Sequence, residues 1–515
     1  MLADTCGNIQ PGDTICLNAG LRTNLRLINF QGDSLNPIVI INCGGQSVFH
    51  SDSSYGLKLT NCKYVKITGR GDASYLYGIK VDKTASGMNG ISVDDLSSNC
   101  EIEFCEISNT GFAGIMSKTD PRCDLLSNYG HFVQRDVKIH DNYIHDTGGE
   151  GIYAGHSFYT GYATTCNGQP DTLYPHEVHG LKIYNNILEQ THWDAIQVGC
   201  ATKDCEIYNN SIYNFGVDGT YAQCNGIQIG GGTGGKCYNN LVKKGSGNGI
   251  IILGLGGNLV FNNVIIEPGI TYPPNTAVIR SHGIFCDDRS TIPGEPFHIC
   301  NNTIIRPRGC GIKFYSSLSD SSYIANNIII APGAYWGLKN KADLKAFIDA
   351  DTTLLSVFVK NNVKKLSLDS LYFIDTVYDN YQLTSLSPAL NAGLDLNFLG
   401  INRDFENNPR PCGNGFDAGA YESCLNGNED IFSLLTPYRI YPNPNNGQFY
   451  VQLPFVSLET EVCYSLMDIA GKELRRGKMN AQRLFTLEGL NDGVYFLLLQ
   501  SEKQRFVSKF ILKLN

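Results

Sequence analysis

Residues 183–186 read Ile-Tyr-Asn-Asn, residues 207–210 repeat these four residues, and residues 237–240 read Cys-Tyr-Asn-Asn. The asparagine pair returns along the chain, with one variant on its N-terminal side, at Asp141-Asn142, Asn262-Asn263, Asn301-Asn302, Asn326-Asn327 and Asn361-Asn362. The shortest intervals are 23, 24 and 25 residues, from Asn240 to Asn263, from Asn186 to Asn210 and from Asn302 to Asn327. Self-similarity at such a period is typical of a solenoid.

A coil of this length holds three short strands and three turns. Adjacent coils stack at about 4.8 Å, so that each side chain meets its equivalent in the next coil. Stacked asparagines can hydrogen-bond along the stack and tolerate left-handed turns, while alternating isoleucine and valine fill a narrow interior. The sequence therefore predicts an all-β fold, a parallel β-helix.

A second phrase, Gly-Ile and one further residue, alternates with the asparagine pairs. It occurs at Gly114-Ile115, Gly151-Ile152, Gly226-Ile227, Gly249-Ile250, Gly283-Ile284 and Gly311-Ile312, with Ala195-Ile196 as a variant. Insertions that lengthen the repeat flank this phrase, at about 117–134, 157–178, 213–224, 267–281 and 286–297. We expect these loops to wall the sheet of Gly-Ile strands on both sides, so that the sheet becomes the floor of a groove.

The composition suits many short strands and excludes some functions. Glycine is abundant at 55 residues, charged residues make up 17%, and the net charge is −9. Without a cluster of lysine and arginine, nucleic acid is not an expected partner, because phosphate binding needs a concentrated basic surface. No stretch approaches the roughly 20 apolar residues of a membrane-spanning helix, so we expect no transmembrane segment.

Eighteen cysteines are too many for a typical cytosolic enzyme, and they do not form paired CxxC motifs of a zinc site. Four pairs lie close in sequence: Cys6/Cys16, Cys200/Cys205, Cys286/Cys300 and Cys412/Cys424. We expect at least three disulfides across loops, formed in an oxidising compartment. Buried free thiols are the alternative for some of these cysteines.

Both ends of the repeat resemble known β-helix proteins. The opening, Pro-Gly-Asp-Thr-Ile at 11–15 through Asn-Pro-Ile-Val-Ile at 36–40, is similar to the first coil of bacterial right-handed β-helix proteins, including chondroitinase B-like and alginate lyases. Residues 387–422, with SPALNAGLD and NRDFENNPRPCGNGFDAGAYE, resemble the closing segment of secreted Bacteroidota β-helix proteins. The resemblance implies a right-handed single-stranded parallel β-helix over residues 1–425.

The tail resembles a different family. It reads YRIYPNPNNGQFYVQL, MDIAGKELRR and LEGLNDGVYFLLL, and it closes with VSKFILK. These phrases are similar to the type A C-terminal sorting domain of the type IX secretion system. Alternating strands with turn dipeptides predict a small β-sandwich over residues 436–515, after a linker at 426–435. The resemblance implies that the secretion machinery is a partner and that the protein is secreted or lies on the outer cell surface.

Three successive coils carry Glu150, Asp194 and Asn225 immediately before the Gly-Ile strand or its variant. Two carboxylates about 5 Å apart repel each other, so we expect either a bound cation or a raised pKa. Ca²⁺ binds several such oxygens, and chondroitinase B-like lyases use acidic and amide ligands on neighbouring coils. The three residues are therefore candidate ligands for Ca²⁺.

The same two carboxylates, Glu150 and Asp194, are also candidate catalytic residues. In a lyase, a base removes the proton beside a uronate neutralised by Ca²⁺, whereas a glycoside hydrolase uses one carboxyl as acid and another as base or nucleophile. Lys313 is a candidate for proton transfer, placed four coils from Glu150 and three from Asp194, and His192 is a candidate acid or base. Alternatively, the carboxylates only cap turns, as Asp and Asn often do.

The residue after the isoleucine points outward by strand alternation, which places Tyr153, Gln197 and Gln228 in the groove. Tyr153 and Trp193 can stack on sugar rings, and the glutamines can hydrogen-bond hydroxyls. These four are candidate substrate-binding residues. We expect a polysaccharide-processing protein, a lyase or a glycoside hydrolase. A non-catalytic glycan-binding or adhesin-like surface protein is the alternative, and a purely structural surface spike is a third possibility.

Overall fold

The computed structural model describes residues 9–271, 281–333, 346–350, 356–376, 379–424, 439–443, 445–452, 462–469, 471–479, 483–500 and 505–513. Strands and tight turns dominate this part of the chain, with short 3-10 helices at Leu368–Leu371 and Asn397–Leu399. Contacts divide the protein into two compact units, one of residues 1–367 and 389–422 and the other of residues 368–388 and 423–515.

The strands up to the end of the repeat are short, mostly three to five residues. In chain order they are β1 (Thr14–Arg22), β2 (Leu25–Ile28), β3 (Ile38–His50), β4 (Leu57–Thr60), β5 (Val65–Thr68), β6 (Ile79–Lys83), β7 (Ile91–Asp94), β8 (Glu101–Glu103), β9 (Cys105–Thr110), β10 (Ile115–Ser117), β11 (Val133–Arg135), β12 (Lys138–His140), β13 (Tyr143–Thr147), β14 (Ile152–Ala154), β15 (Tyr162–Cys166), β16 (Gln169–Leu173), β17 (Glu177–His179), β18 (Lys182–Tyr184), β19 (Ile187–Thr191), β20 (Ile196–Val198), β21 (Glu206–Tyr208), β22 (Ser211–Phe215), β23 (Ile227–Ile229), β24 (Gly235–Tyr238), β25 (Leu241–Gly245), β26 (Ile250–Ile252), β27 (Asn258–Phe261), β28 (Val264–Ile266), β29 (Ile284–Asp287), β30 (Phe297–Cys300), β31 (Thr303–Ile305), β32 (Ile312–Tyr315), β33 (Ser322–Ala325), β34 (Ile328–Ile330), β35 (Ile348–Ala350), β36 (Val357–Lys360) and β37 (Val363–Lys365).

The coils form three parallel faces, as the repeat predicted. Two faces merge into one sheet of 22 strands, because the long strands β1 and β3 run through both. The third face is a separate sheet of 11 strands, in the order β2-β4-β7-β10-β14-β20-β23-β26-β29-β32-β35. We call this third face the groove sheet. The unit is the right-handed parallel β-helix expected from the sequence.

The isoleucine of each Gly-Ile phrase points into the core of the β-helix. Along the groove sheet the side chains in this position are fully buried, at Ile115, Ile152, Ile196, Ile227, Ile250, Ile284 and Ile312. Burying one such side chain contributes roughly 1.5–3 kcal/mol, so a continuous stack of them is a main source of the stability of the solenoid. At Gly226 a Cβ would lie 2.6 Å from the Gly249 carbonyl oxygen, so a side chain there would require the backbone to shift, although one coil has Ala195 in the equivalent position.

The two residues of each asparagine pair have different structural roles. The first member of each pair has a left-handed backbone, with φ of 55° at both Asn185 and Asn209. The second member is buried and donates from Nδ2 to the next Oδ1, at 3.0 Å from Asn186 to Asn210 and 2.9 Å from Asn210 to Asn240. The same bond continues through the coils to Asn362. This confirms the predicted ladder.

The closing segment packs against the β-helix and is held together by a buried ion pair. Arg410 Nη1 lies 2.7 Å from Glu422 Oε2, and both side chains are fully buried. Several hydrogen bonds attach the segment to the coils. Among them, Asn262 Nδ2 donates to the Arg403 carbonyl at 2.6 Å, and the Ala420 N–H donates to Thr303 Oγ1 at 2.9 Å.

Two insertions fold against each other into one lobe, which we define as residues 117–134 and 157–178. Strand β11 of the first insertion pairs in parallel with β17, and β15 and β16 form an antiparallel hairpin within the second. The disulfide between Cys123 and Cys166 joins the two insertions.

The expected disulfides are correct only in part. Cys16 bonds to Cys43 rather than to Cys6, which lies outside the described residues, and Cys412 and Cys424 are both disulfide-bonded. The pairs predicted at Cys200/Cys205 and Cys286/Cys300 are wrong, because these four are free thiols. They are buried in the coils, where a cysteine packs as a small apolar side chain.

The second unit consists of antiparallel strands. Its strands are β38 (Phe373–Asp375), β39 (Asn380–Leu383), β40 (Arg439–Tyr441), β41 (Gln448–Gln452), β42 (Cys463–Met467), β43 (Glu473–Lys478), β44 (Leu484–Thr486), β45 (Gly493–Gln500) and β46 (Arg505–Leu512). Sheets β40-β41-β44 and β43-β42-β45-β46 share a core that contains Phe449 from one sheet and Leu466 and Phe510 from the other. This is the β-sandwich expected from the sequence. The predicted linker at 426–435 lies outside the described residues, and the domain boundaries stay a prediction.

Candidate active site

The outward positions of the groove sheet lie side by side as the sequence alignment of the coils predicted. Tyr153 on β14 is in register with Met116 on β10 and with Gln197 on β20, and Gln197 is in register with Gln228 on β23. Their neighbours on either side point into the core, as Ile152 and Ala154 do around Tyr153. The groove sheet therefore brings together three of the four predicted substrate-binding residues, of which Tyr153 and Gln197 are only 7% and 2% exposed and Gln228 is half-buried.

Glu150, Asp194 and Asn225 begin a second ladder, which runs through the turns before the groove sheet. The Asn225 N–H and Nδ2 both donate to Asp194 Oδ1, at 2.6 and 3.0 Å. Asn248 in turn donates from N–H and Nδ2 to Asn225 Oδ1, at 3.2 and 2.8 Å. Glu150 and Asp194 are fully buried, so both lie beneath the groove surface rather than on it.

Gln197 links the two carboxyl groups to the groove. One orientation of the Gln197 amide matches all of its neighbours. In that orientation the nitrogen donates to Asp194 Oδ2 and to Glu150 Oε1, each at 3.2 Å, and the oxygen accepts from Ser157 Oγ at 2.6 Å. Because the Ser157 hydroxyl then donates to Gln197, it accepts from the Tyr153 hydroxyl at 2.7 Å. This leaves the lone pairs of the Tyr153 oxygen for another partner, while Glu150 Oε2 is buried without a hydrogen bond.

Both buried carboxyl groups favour the protonated form. Burial raises the pKa of Glu150 to about 7. Burial also raises the pKa of Asp194 well above its usual value, and the nearby Glu150 charge raises it further. The hydrogen bonds from Asn225 lower this pKa, but they do not outweigh the other two effects. The raised pKa values agree with one of the two expectations for this pair, and a bound cation stays a prediction.

The arrangement of Asn225 does not fit a calcium site. Its amide oxygen accepts both bonds from Asn248, and its nitrogen faces Asp194. A Ca²⁺ ion between Glu150, Asp194 and Asn225 needs three oxygens directed at one point, and here one of them is turned away. Within the described residues, the group with metal-ligand spacing is instead Glu101, Glu103 and His140. That group already contains a cation, because Lys66 Nζ lies 2.6 and 2.9 Å from the two glutamates.

A lysine that the sequence analysis missed lies beside Tyr153. Lys118 directly follows β10, and its Nζ is 4.8 Å from the centroid of the Tyr153 ring. Nζ also lies 2.8 Å from Asp120 Oδ1. Burial lowers the pKa of Lys118, but the charges of Tyr153 and Asp120 outweigh burial, so its pKa ends above the usual value and the side chain stays cationic. Lys118 lies two residues after Met116, so strand alternation places both side chains on the outward face. This spacing is the signal by which Lys118 could have been found in the sequence.

Two histidines, His176 in the lobe and His156 directly before its second insertion, hold this lysine region in place. The His176 ring accepts the Thr119 N–H at Nε2, 3.1 Å away, and donates from Nδ1 to the Glu177 carbonyl at 2.9 Å. The His156 ring accepts the Phe158 N–H at Nδ1, 3.1 Å away, and its Nε2 lies 3.5 Å from Asp120 Oδ1. Burial, reinforced by the Lys118 charge, lowers the pKa of His156 to about 4, so it is neutral near pH 7.

The other predicted site residues lie away from this centre. His192 pairs with Asp218, Nδ1 to Oδ1 at 3.2 Å, and Trp193 packs edge-on against Phe112. Lys313 lies on β32, five strands from β14 and four from β20, one more in each case than the sequence predicted. At about 4.8 Å per strand, Lys313 is roughly 24 Å from Tyr153. It pairs instead with Asp349, Nζ to Oδ2 at 2.8 Å.

Two family descriptions match the chain. Residues 173–345 match the right-handed beta helix region, and residues 439–513 match the secretion system C-terminal sorting domain. The chain joins a right-handed β-helix to a secretion sorting domain. The sorting domain marks the protein for export to the cell surface or the medium by a secretion system. Among the described residues, no helix is long and apolar enough to cross a membrane.

Solved β-helix structures resemble this chain at low identity. An alginate lyase from Paenibacillus sp. str. FPU-7 has a TM-score of 0.38 and 17% identity, over 61% of this chain and 95% of its own. Pectate lyase Pel9A has a TM-score of 0.37 and 14% identity, over 80% and 88%. A tailspike protein of bacteriophage CBA120 has a TM-score of 0.40 and 11% identity, over 98% and 66%. Likeness at this level carries no information on activity. No curated protein sequence matches the chain.

Proposed function

We propose that this β-helix cleaves a polysaccharide that contains uronic acid, by β-elimination in the groove above Tyr153. The observation that carries the proposal is the position of the Lys118 ammonium 4.8 Å from the Tyr153 ring, on a groove floor whose carboxyl groups are buried. A uronate is an anion with an acidic C5–H beside its carboxylate. Cleavage by elimination therefore needs a cation, a group that moves a proton and a floor that does not repel the substrate.

Lys118 supplies the cation. Its pKa is raised, so the ammonium persists, and it can compensate the negative charge that develops on the uronate carboxylate as the C5 proton leaves. The floor under it is neutral when Glu150 and Asp194 hold their protons, so the substrate meets little buried negative charge from them below about pH 7.

Tyr153 moves the proton. Its phenolate takes the proton from C5, the electron pair of that bond forms the C4–C5 double bond, and the C4–O bond breaks. The departing oxygen then takes the proton from Tyr153. Burial raises the pKa of Tyr153, while the nearby Lys118 charge favours the phenolate and a charge on Glu150 opposes it. Removal of the Glu150 charge should therefore help Tyr153 to act as a base.

A glycoside hydrolase that uses Glu150 and Asp194 is less consistent with this geometry. Such an enzyme needs one ionised and one protonated carboxyl group, both in contact with the sugar. Here both carboxyl groups are fully buried beneath Gln197, and the pKa of each is raised. They serve the site as its neutral floor.

The test is incubation of the full-length protein with alginate, polygalacturonate, chondroitin sulfate and hyaluronan. Ultraviolet absorbance follows the new double bond, and a reducing-sugar assay follows the new chain ends. We expect both signals to rise together on at least one of these polymers. New chain ends without the double bond would indicate a hydrolase. No signal from any polymer that the protein binds would indicate a glycan-binding protein.

A further inference from the structure

The loop after Tyr153 carries two exposed aromatic side chains that contact each other. The Phe158 and Tyr162 side chains are 52% and 41% exposed, and their ring centroids are 5.7 Å apart at an angle of 50°. Both rings also contact the His156 ring, with centroids 5.4 and 6.1 Å away. We call Phe158 and Tyr162 the aromatic pair.

The aromatic pair is continuous with the proposed site. His156, which contacts both rings, lies 3.5 Å from Asp120, and Asp120 lies 2.8 Å from the Lys118 ammonium. Ser157, which bonds to Tyr153, immediately precedes Phe158 in the chain. A polymer that occupies the groove above Tyr153 therefore has the aromatic pair next along its path.

The lobe holds the aromatic pair in place. Tyr162 begins the hairpin β15–β16, the Cys123–Cys166 disulfide ties this hairpin to the first insertion, and β11 pairs with β17. Rings that are held before a ligand arrives lose little conformational freedom on binding, which improves affinity.

The composition around the aromatic pair suits a sugar. Between Ser157 and Pro175 the only charged side chain is Asp171, and the others are mainly threonine, tyrosine, asparagine, glutamine and glycine. Sugars present apolar C–H faces edged by hydroxyls, which match aromatic faces edged by hydroxyl and amide groups.

We propose that Phe158 and Tyr162 form a subsite that stacks on the sugar next to the one that reacts. This subsite rests on the proposed function, since the reacting sugar above Tyr153 defines its neighbour. It makes the protein an enzyme that binds an internal stretch of polymer, and it predicts that short oligosaccharides without the extra sugar bind weakly.

Affinity electrophoresis in native gels tests the subsite without requiring turnover. The full-length protein migrates through gels that contain alginate, polygalacturonate, chondroitin sulfate or hyaluronan. The variants are Phe158→Ala/Tyr162→Ala and Lys118→Ala, and the control is Tyr75→Ala, an exposed tyrosine between β5 and β6 on another face. Circular dichroism and thermal melting check that each variant folds.

We expect the double variant to bind the retarding polymer about tenfold more weakly, as the loss of two stacking rings implies, while Tyr75→Ala binds like the wild type. Unchanged retardation of the double variant would overturn the subsite. If Lys118→Ala kept its turnover while the double variant lost binding, the proposed chemistry would fail and the subsite would stand. If none of the four polymers retarded the wild-type protein, both proposals would fall.

Discussion

Lys118 and Tyr153 meet across neighbouring coils, with the lysine ammonium 4.8 Å from the centre of the tyrosine ring. The pair depends on two strands in parallel register, β10 and β14, and on the lobe that folds over them. Its chemistry depends on the buried carboxyl groups beneath it.

Glu150→Gln should stabilise the folded protein at neutral and alkaline pH. The folded state keeps the Glu150 proton up to about pH 7, whereas the usual pKa of a glutamate side chain is 4.5. Deprotonation therefore costs the folded state stability as the pH rises from about 4.5 to about 7, by up to roughly 3 kcal/mol. The amide removes this cost. Thermal melting at pH 5 and pH 8 should show a gain for the variant only at pH 8, and an equal gain at both would contradict the assignment.

The same substitution should shift the pH profile of turnover. A charge on Glu150 disfavours the Tyr153 phenolate, so its removal should allow Tyr153 to ionise at lower pH. We expect the rising limb of the turnover profile, which follows the ionisation of Tyr153, to move to lower pH in Glu150→Gln. A profile identical to that of the wild type would separate Glu150 from the function of Tyr153.

Loss of the Cys123–Cys166 disulfide should reduce turnover more than it reduces the stability of the coils. The bond joins the two insertions that carry Asp120 and Ser157, so the serine double variant should position these groups poorly and lose about tenfold in kcat/KM. Cys16→Ser/Cys43→Ser is the matched control, because its disulfide lies on the first coils. Equal losses of turnover in the two variants would contradict a specific role of the lobe.

The asparagine ladder should be sensitive at its second residue and tolerant at its first. Asn210→Ala removes the partner of Asn186 Nδ2 and of the Asn186 N–H, and it leaves both buried, so we expect a loss of about 2–4 kcal/mol. Asn209→Gly retains the left-handed turn and should cost less than about 1 kcal/mol. Urea unfolding of the two variants measures the difference, and equal midpoints would argue against the ladder.

Calcium should leave the site unchanged, because the amide oxygen of Asn225 bonds to Asn248. Melting temperature and turnover should be the same with CaCl₂ and with EDTA. A rise in melting temperature with CaCl₂ that Asp194→Asn abolishes would restore Glu150, Asp194 and Asn225 as calcium ligands.

The fold was accessible from the sequence because stacking repeats the same environment in every coil. Equivalent residues such as Asn186 and Asn210 experience the same neighbours, so their identity recurs and the register follows. The outward column of Tyr153 and Gln197 was predictable for the same reason. The number of coils predicted between Glu150 and Lys313 was too small by one, because insertions hide the exact number of coils between distant residues.

The site was accessible only in part because the insertions complete it. Lys118 contacts Tyr153, while His156 and His176 contact Asp120 and Thr119 beside that lysine. These contacts depend on the lobe, whose fold does not repeat and therefore leaves no period in the sequence. The burial of Glu150 and Asp194 was equally hidden, because a turn position shows the residue type but not the depth. The disulfides predicted for Cys200 and Cys286 do not form, and the prediction was wrong because proximity in sequence says little about which side chains point into the core.

The most direct test of the account is the formation of the double bond by Lys118→Ala and Tyr153→Phe on the polymer that the wild type cleaves best. Lys313→Ala is the matched control, since Lys313 lies on the same sheet but five strands from β14. We predict a loss of at least about 100-fold in turnover for the first two variants, with all three folded and the control within about threefold. Wild-type rates in Lys118→Ala and Tyr153→Phe would contradict the account.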